Sequence, residues 1–154
     1  MIYIGRLVNT HGIKGEVKIL SDFKYKDVIF NNGSIFYING DRYRVVSYRR
    51  HKNFDMVMFE GIHNINDVIP LKGSDVYINR DDYVFEGYLN EDLYGKKVYD
   101  GDRYIGVLES IEKTLASEIL VVVNGEKKYL IPFVDEFVKK IDDDIHLKLI
   151  KGFI

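Results

Sequence analysis

Short runs of β-branched and aromatic residues, broken by polar turn segments, dominate this chain, a pattern that belongs to strands. The runs predict strands over residues 3–8, 16–20, 34–38, 43–49, 55–60 and 75–78, and a second set over 97–99, 104–111, 119–123, 127–131 and 146–149. Turn chemistry falls where such strands must reverse: Asn39-Gly40-Asp41, Asp100-Gly101-Asp102 and Asn124-Gly125-Glu126. Asn-Gly and Asp-Gly pairs take the positive φ angles that tight hairpins need. Two short helices are also predicted. One starts at Asn64, with Asp67 placed to serve the free N–H groups of the first turn, and must end or kink at Pro70. The other starts at Pro132, a residue suited to a first helical position, and runs to Val138. Many short strands and few helices indicate a mainly β protein made of small barrels or sandwiches.

The polar stretch NRDDYVFEGY, residues 79–88, predicts a domain boundary. The expected organisation is a first domain over 1–80, a short linker over 81–87 and a second domain over 88–154. The net charge of −2 changes sign across that boundary. Residues 1–80 hold 12 Lys and Arg against 8 Asp and Glu, a balance of +4, and residues 81–154 hold 10 against 16, a balance of −6. Two readings stay open: uneven composition on two solvated surfaces, or one half suited to phosphates and the other to a basic partner.

At 154 residues, 46% hydrophobic and 30% charged, the chain reads as globular rather than disordered. No apolar run nears the roughly 20 residues that cross a bilayer, and the N-terminus lacks the features of a signal peptide. Cysteine is absent, which removes disulfides and thiolate metal sites. A cytoplasmic protein without a membrane partner is expected.

No catalytic constellation emerges. His11, His51, His63 and His146 are scattered along the chain, without the helical spacing that brings two imidazoles to one metal. Asp142-Asp143-Asp144 lacks the alternating ligands and terminal Glu of a calcium loop and reads as a solvated hairpin. No nucleophile elbow is present. The expectation is therefore no catalytic residue, no metal and no cofactor.

Two segments suit binding. In NTHGIKGEVKI, Gly12 and Gly15 bracket Ile13 and Lys14 between two predicted strands. A P-loop or dinucleotide fingerprint would need a following helix, and the GxxG clamp of KH domains joins two helices. The segment thus reads as a turn needing flexible backbone at two points, either purely structural or displaying Lys14. The second segment is RYRVVSYRRHKNFD, where Arg42, Arg44, Arg49, Arg50 and Lys52 lie among Tyr43, Tyr48 and Phe54. Strand alternation would put Tyr43, Val45 and Ser47 on one face and Arg44, Val46 and Tyr48 on the other. Such a mixture suits phosphates and unpaired bases, or an edge strand guarded by charge.

The order of motifs resembles the RimM family, bacterial ribosome maturation factors also called 16S rRNA-processing proteins. IGRLVNTHGIKGEVKI is similar to the family's N-terminal signature, and RRHKNFDMVMFEGIHNINDVIPLKGSDVYINRDDY to its later stretch. The second half, with Asp92-Leu93 and Gly95, Gly106 and Ile131-Pro132, resembles a PRC barrel, and the closing KGFI is similar to the family's ending. The resemblance implies two small β-barrels: an N-terminal one like those of translation factors and a C-terminal PRC barrel. It implies a monomer without catalytic centre or cofactor that binds the precursor of the small ribosomal subunit at its head. There it would contact 16S rRNA and the nineteenth protein of the small-subunit series. Candidate contacts to RNA or ribosome are Lys14, Arg49, Arg50, His51 and Lys52. Family members often carry adjacent aromatics before Asp-Leu-x-Gly; here the pair is Tyr88-Leu89, the candidates for protein contact, with Leu89 lacking the flat ring. Rival readings are a general RNA-binding double barrel and a PRC-barrel adaptor for a non-ribosomal complex.

Overall fold

The computed structural model describes residues 1–154 and divides into two compact units, Met1–Glu86 and Gly87–Ile154. In the first unit six strands close into a barrel: β1 (Ile2–His11), β2 (Glu16–Leu20), β3 (Ile35–Ile38), β4 (Asp41–His51), β5 (Phe54–Phe59) and β6 (Asp75–Ile78), in the order β1-β2-β5-β4-β3-β6. Closure leaves no free strand edge. Alternate residues point inward, so Ile4, Val17, Ile19, Val57, Phe36 and Ile78 are buried. Each such side chain removed from water contributes about 1.5–3 kcal/mol. A single helical turn, α1 (Lys26–Ile29), adds Ile29 and the following Phe30 to the core.

The β3–β4 hairpin turns through Asn39 (φ 52°) and Gly40 (φ 82°), both left-handed, as the Asn-Gly pair predicts. The helix expected after Asn64 is two 3₁₀ turns, Ile65–Asp67 and Ile69–Leu71. Asn64 does start it, its side chain accepting a hydrogen bond from Asn66 N–H at 2.8 Å, and Pro70 keeps it from continuing.

The second unit is a six-stranded sheet of β7 (Lys97–Asp100), β8 (Arg103–Lys113), β9 (Glu118–Asn124), β10 (Lys127–Pro132), β11 (Val138–Ile141) and β12 (Ile145–Leu147), ordered β10-β9-β8-β7-β12-β11. Val98, Leu108, Val122, Ile131 and Leu147, from five of these strands, converge on one apolar cluster with Leu93 of the short helix α2 (Asn90–Leu93). No helix of the chain is long and apolar enough to cross a membrane.

The helix expected over residues 132–138 does not form. Pro132 closes β10 opposite Ile119, and a single turn, with Val138 N–H donating to the Val134 carbonyl at 2.9 Å, leads into β11. β10 pairs on one side only, and an edge strand tolerates a residue with no N–H to donate. The segment expected as a linker is also different. Arg80–Asp82 forms a 3₁₀ turn capped by Asn79, Tyr83 donates to the Ile35 carbonyl, and Phe85 is buried with its ring 4.9 Å from that of Tyr25. Residues 81–86 thus belong to the first unit. Assigning Asp81, Asp82 and Glu86 there leaves it 12 Lys and Arg against 11 Asp and Glu, net +1, and the second unit 10 against 13, net −3. The contrast of charge between halves shrinks, and local patches matter more than totals.

Candidate functional site

The first unit carries a cationic patch whose placement depends on two β-bulges. In β4 the register slips between Val45 and Ser47: Val45 pairs with the buried Phe59, but Ser47 pairs with Met58. Val46 is the extra residue. Simple alternation from Val45 would put Arg49 and His51 on its side of the strand; beyond the bulge Tyr48 and Arg50, opposite Val57 and Asp55, take that side instead. The expected grouping of Val46 with Tyr48 is therefore wrong, because the bulge reverses the parity. In β1 the same happens between Leu7, opposite the buried Ile19, and Asn9, opposite Lys18. His11 is thereby turned to the side of its partner Glu16.

These reversals gather His11, Glu16, Lys18, Arg49 and His51 on the face away from Val17, Ile19 and Val57. Arg49 donates two hydrogen bonds to the Glu16 carboxylate, Nε to Oε2 at 2.9 Å and Nη2 to Oε1 at 2.7 Å, the fork geometry that suits guanidinium and carboxylate. That contact holds the Glu16 carboxyl below its usual range, against the opposing effect of burial. Lys18 Nζ lies over the Phe54 ring, 5.3 Å from its centroid. The His11 and His51 rings are 6.0 Å apart, though 40 positions separate them in sequence. Burial pushes the His51 imidazole below its ordinary value, followed by the charges of Arg49, Lys52, His11 and Lys18.

The other candidates are distributed differently. Lys14 is exposed in the turn between β1 and β2, where Gly12 (φ 72°) and Gly15 (φ 96°) are both left-handed. A Cβ on Gly15 would lie 2.7 Å from Ile62 Cγ2 and 3.2 Å from the Asn64 carbonyl oxygen, while Gly12 faces open space. Ile65 N–H donates to the Ile13 carbonyl at 2.9 Å, tying the turn to the 3₁₀ segment. Lys52 sits at the tip of the β4–β5 hairpin with φ 56°, an unusual value for a residue with a side chain. Arg50 faces the opposite way from Arg49 and lies 3.6 Å from the buried Asp55.

Asp55 is wholly buried and anchors a cluster beneath that patch. Lys26 Nζ approaches its Oδ2 at 2.5 Å and also donates to the Ser21 carbonyl, while Tyr48 donates to Oδ1 at 2.7 Å. Oδ2 takes no hydrogen bond of good direction, so the nearby ammonium charge is what compensates it. Burial first, then this carboxylate, pushes the Tyr48 phenol up to about 12.

In the second unit Tyr88 is half-buried and stacks on Phe133, with 6.2 Å between centroids and 14° between planes. Leu89 is only 2% exposed. Its N–H donates to the Asp92 carboxylate at 2.9 Å at the start of α2. As a contact residue Leu89 is corrected by its burial: it supports the segment from beneath.

His11, Glu16 and Lys18 complete the patch, and none was legible as such in sequence. The only signal was cross-strand pairing, which single-chain order does not display. No group of three His, Cys, Asp or Glu stands close enough to hold a metal.

Comparison with known proteins places the chain. A model of the RimM N-terminal domain matches residues 2–83, and one of the RimM PRC barrel domain matches residues 90–150. The ribosome maturation factor RimM of Staphylococcus haemolyticus is 43% identical over 150 residues, covering 92% of this chain and 89% of that protein. Its counterpart from Staphylococcus epidermidis is 42% identical over 159 residues, covering 97% and 93%. A crystal structure from Pseudomonas aeruginosa, described as a 16S ribosomal RNA processing protein RimM, is 23% identical, covers 96% of each chain and has a TM-score of 0.48. With both domain models matched in order and relatives similar along nearly their whole length, the chain belongs to the RimM family of ribosome maturation factors.

Proposed function

We propose that this chain binds the precursor of the small ribosomal subunit at its head and assists late folding and processing of 16S rRNA, as a monomeric, non-catalytic assembly chaperone of the cytoplasm. The observation that carries the RNA side is the patch on the first unit, where Lys18, Arg49, His51 and His11 share a face. Lys52 and Lys14 extend it from two exposed hairpin turns. Lysine and arginine cations grouped with imidazole donors are suited to phosphates. Arg49 is already paired to Glu16, so it contributes through exchange of partners, whereas Lys14 and Lys52 contribute free charge. Tyr88, backed by Phe133 and Leu89, is the protein-side contact, toward the nineteenth protein of the small-subunit series.

A chaperone of this kind works by differential affinity. Binding the immature head more tightly than the finished one drives assembly forward, and equal affinity for both would shift nothing. Co-sedimentation with precursor and mature small subunits at two salt concentrations tests the reading. Preference for the precursor is expected, with Lys14→Ala/Lys52→Ala weakening association and lowering the log–log salt slope by about 1–2. Equal binding to mature subunits and unrelated RNA would instead mark a general RNA-binding barrel.

A further inference from the structure

We propose that His11 and His51 form a site for a single backbone phosphate of RNA, and that filling it draws a proton onto the pair. The site rests on the reading that this face of the first unit meets RNA. Two imidazoles from strands that are not neighbours in the barrel stand 6.0 Å apart with their planes at 45°. A β-bulge in each parent strand turns its histidine to the same face. Bulges recur where a strand must re-aim a functional side chain.

The surroundings fix the ligand's charge. From β2 the pair meets Glu16 and Lys18, from β4 Arg49, from the hairpin tip Lys52, and from β5 the uncharged Phe54. Arg50 points away, toward Asp55. The one carboxylate is engaged by both N–H groups of the Arg49 fork. Lys18 and Lys52 remain as uncancelled charge beside two rings. In that field a proton on His51 is disfavoured while the site is empty, since burial first and then the neighbouring side chains oppose a further positive charge. A phosphodiester is anionic at every physiological pH and presents acceptor oxygens. It reverses the local field, and a protonated imidazole offers it an N–H from either ring nitrogen. Phosphate binding and proton uptake are then linked, each favouring the other.

The test uses the full chain and a uridine dodecamer as probe. Proton NMR of the ring C–H signals follows both histidines through a pH titration with and without the probe. The His51 midpoint is expected to rise by about one unit when RNA is present. Affinity measured by fluorescence anisotropy at constant ionic strength is expected to increase roughly tenfold between about pH 8 and about pH 6. His11→Gln/His51→Gln should lose most of that increase. The NMR arm needs no substitution, so a poorly folded variant leaves the question decidable. Unmoved histidine midpoints, or an equal pH dependence in the double variant, would overturn the site. Equal proton-linked binding of polyglutamate would overturn its assignment to RNA. Failure to sediment with precursor subunits overturns the proposed function, whereas sedimentation with unmoved histidines overturns only the phosphate site.

Discussion

Asp55 shows what one buried charge demands of its neighbours. A carboxylate without solvent is tolerated only where opposite charge and donors surround it, and here Lys26, Tyr48 and Arg50 supply them. Lys26→Met removes the cation 2.5 Å from Oδ2 and is expected to cost about 3 kcal/mol, read from urea unfolding at neutral pH. The raised phenol of Tyr48 carries a sign of its own. Its neutral form is favoured in the folded chain, so that stabilisation is complete below the ordinary phenol value of 10.0 and is lost as pH climbs toward about 12. Glycine at positions 12 and 15 separates two causes of one residue preference. Gly12→Ala meets only the left-handed backbone penalty, about 1 kcal/mol, while Gly15→Ala adds a clash with Ile62 and the Asn64 carbonyl. Gly15→Ala should therefore be the more destabilising by roughly 1–3 kcal/mol in thermal or urea unfolding. Lys14→Ala, between them and exposed, should leave stability within about 0.5 kcal/mol.

Elements respond to context that residues alone do not contain. β4 is continuous by composition, yet its bulge at Val46 decides which side chains reach solvent. Tyr48 is turned to Asp55 and stacks on Phe30 at 5.5 Å, and Arg49 is delivered to Glu16. The β11–β12 hairpin puts the Asp142-Asp143-Asp144 run at its turn, where Asp142 accepts from the Asp144 N–H and contacts His146 at 2.9 Å. The backbone donor chiefly, and then His146, lowers the Asp142 carboxyl to about 2. A depressed carboxylate stabilises above its unfolded value and loses that contribution as pH falls toward the folded one. Carbon-detected NMR of the Asp142 carboxyl is expected to place its midpoint near about 2, and His146→Ala should move it upward.

At the scale of the whole chain, the division between units is set by where apolar side chains find cover. Phe85 is 8% exposed, packed between Phe23, Tyr25 and Tyr83, with the Arg80 guanidinium 4.9 Å above its ring. A fragment ending after residue 80 forfeits that packing; one ending at Glu86 retains it. The longer fragment is expected to be more stable by at least about 2 kcal/mol in urea unfolding. Equal stability would show that residues 81–86 are a linker after all.

Most strands, the three hairpin turns and the start at Asn64 were legible in the sequence, because turn chemistry and β-rich runs depend on residues within a few positions. The polar stretch over residues 79–88, and then the family resemblance, carried the two-part organisation for a related reason: both are read from local strings. Near neighbours could not supply register. The bulges at Val8 and Val46, the meeting of His11 with His51, the burial of Leu89 and the attachment of Phe85 each require pairing between distant segments. A slip of one residue reverses every side chain beyond it. Tertiary structure alone therefore decided which charges face the solvent together, since that depends on where closing the barrel leaves extra residues in the strands.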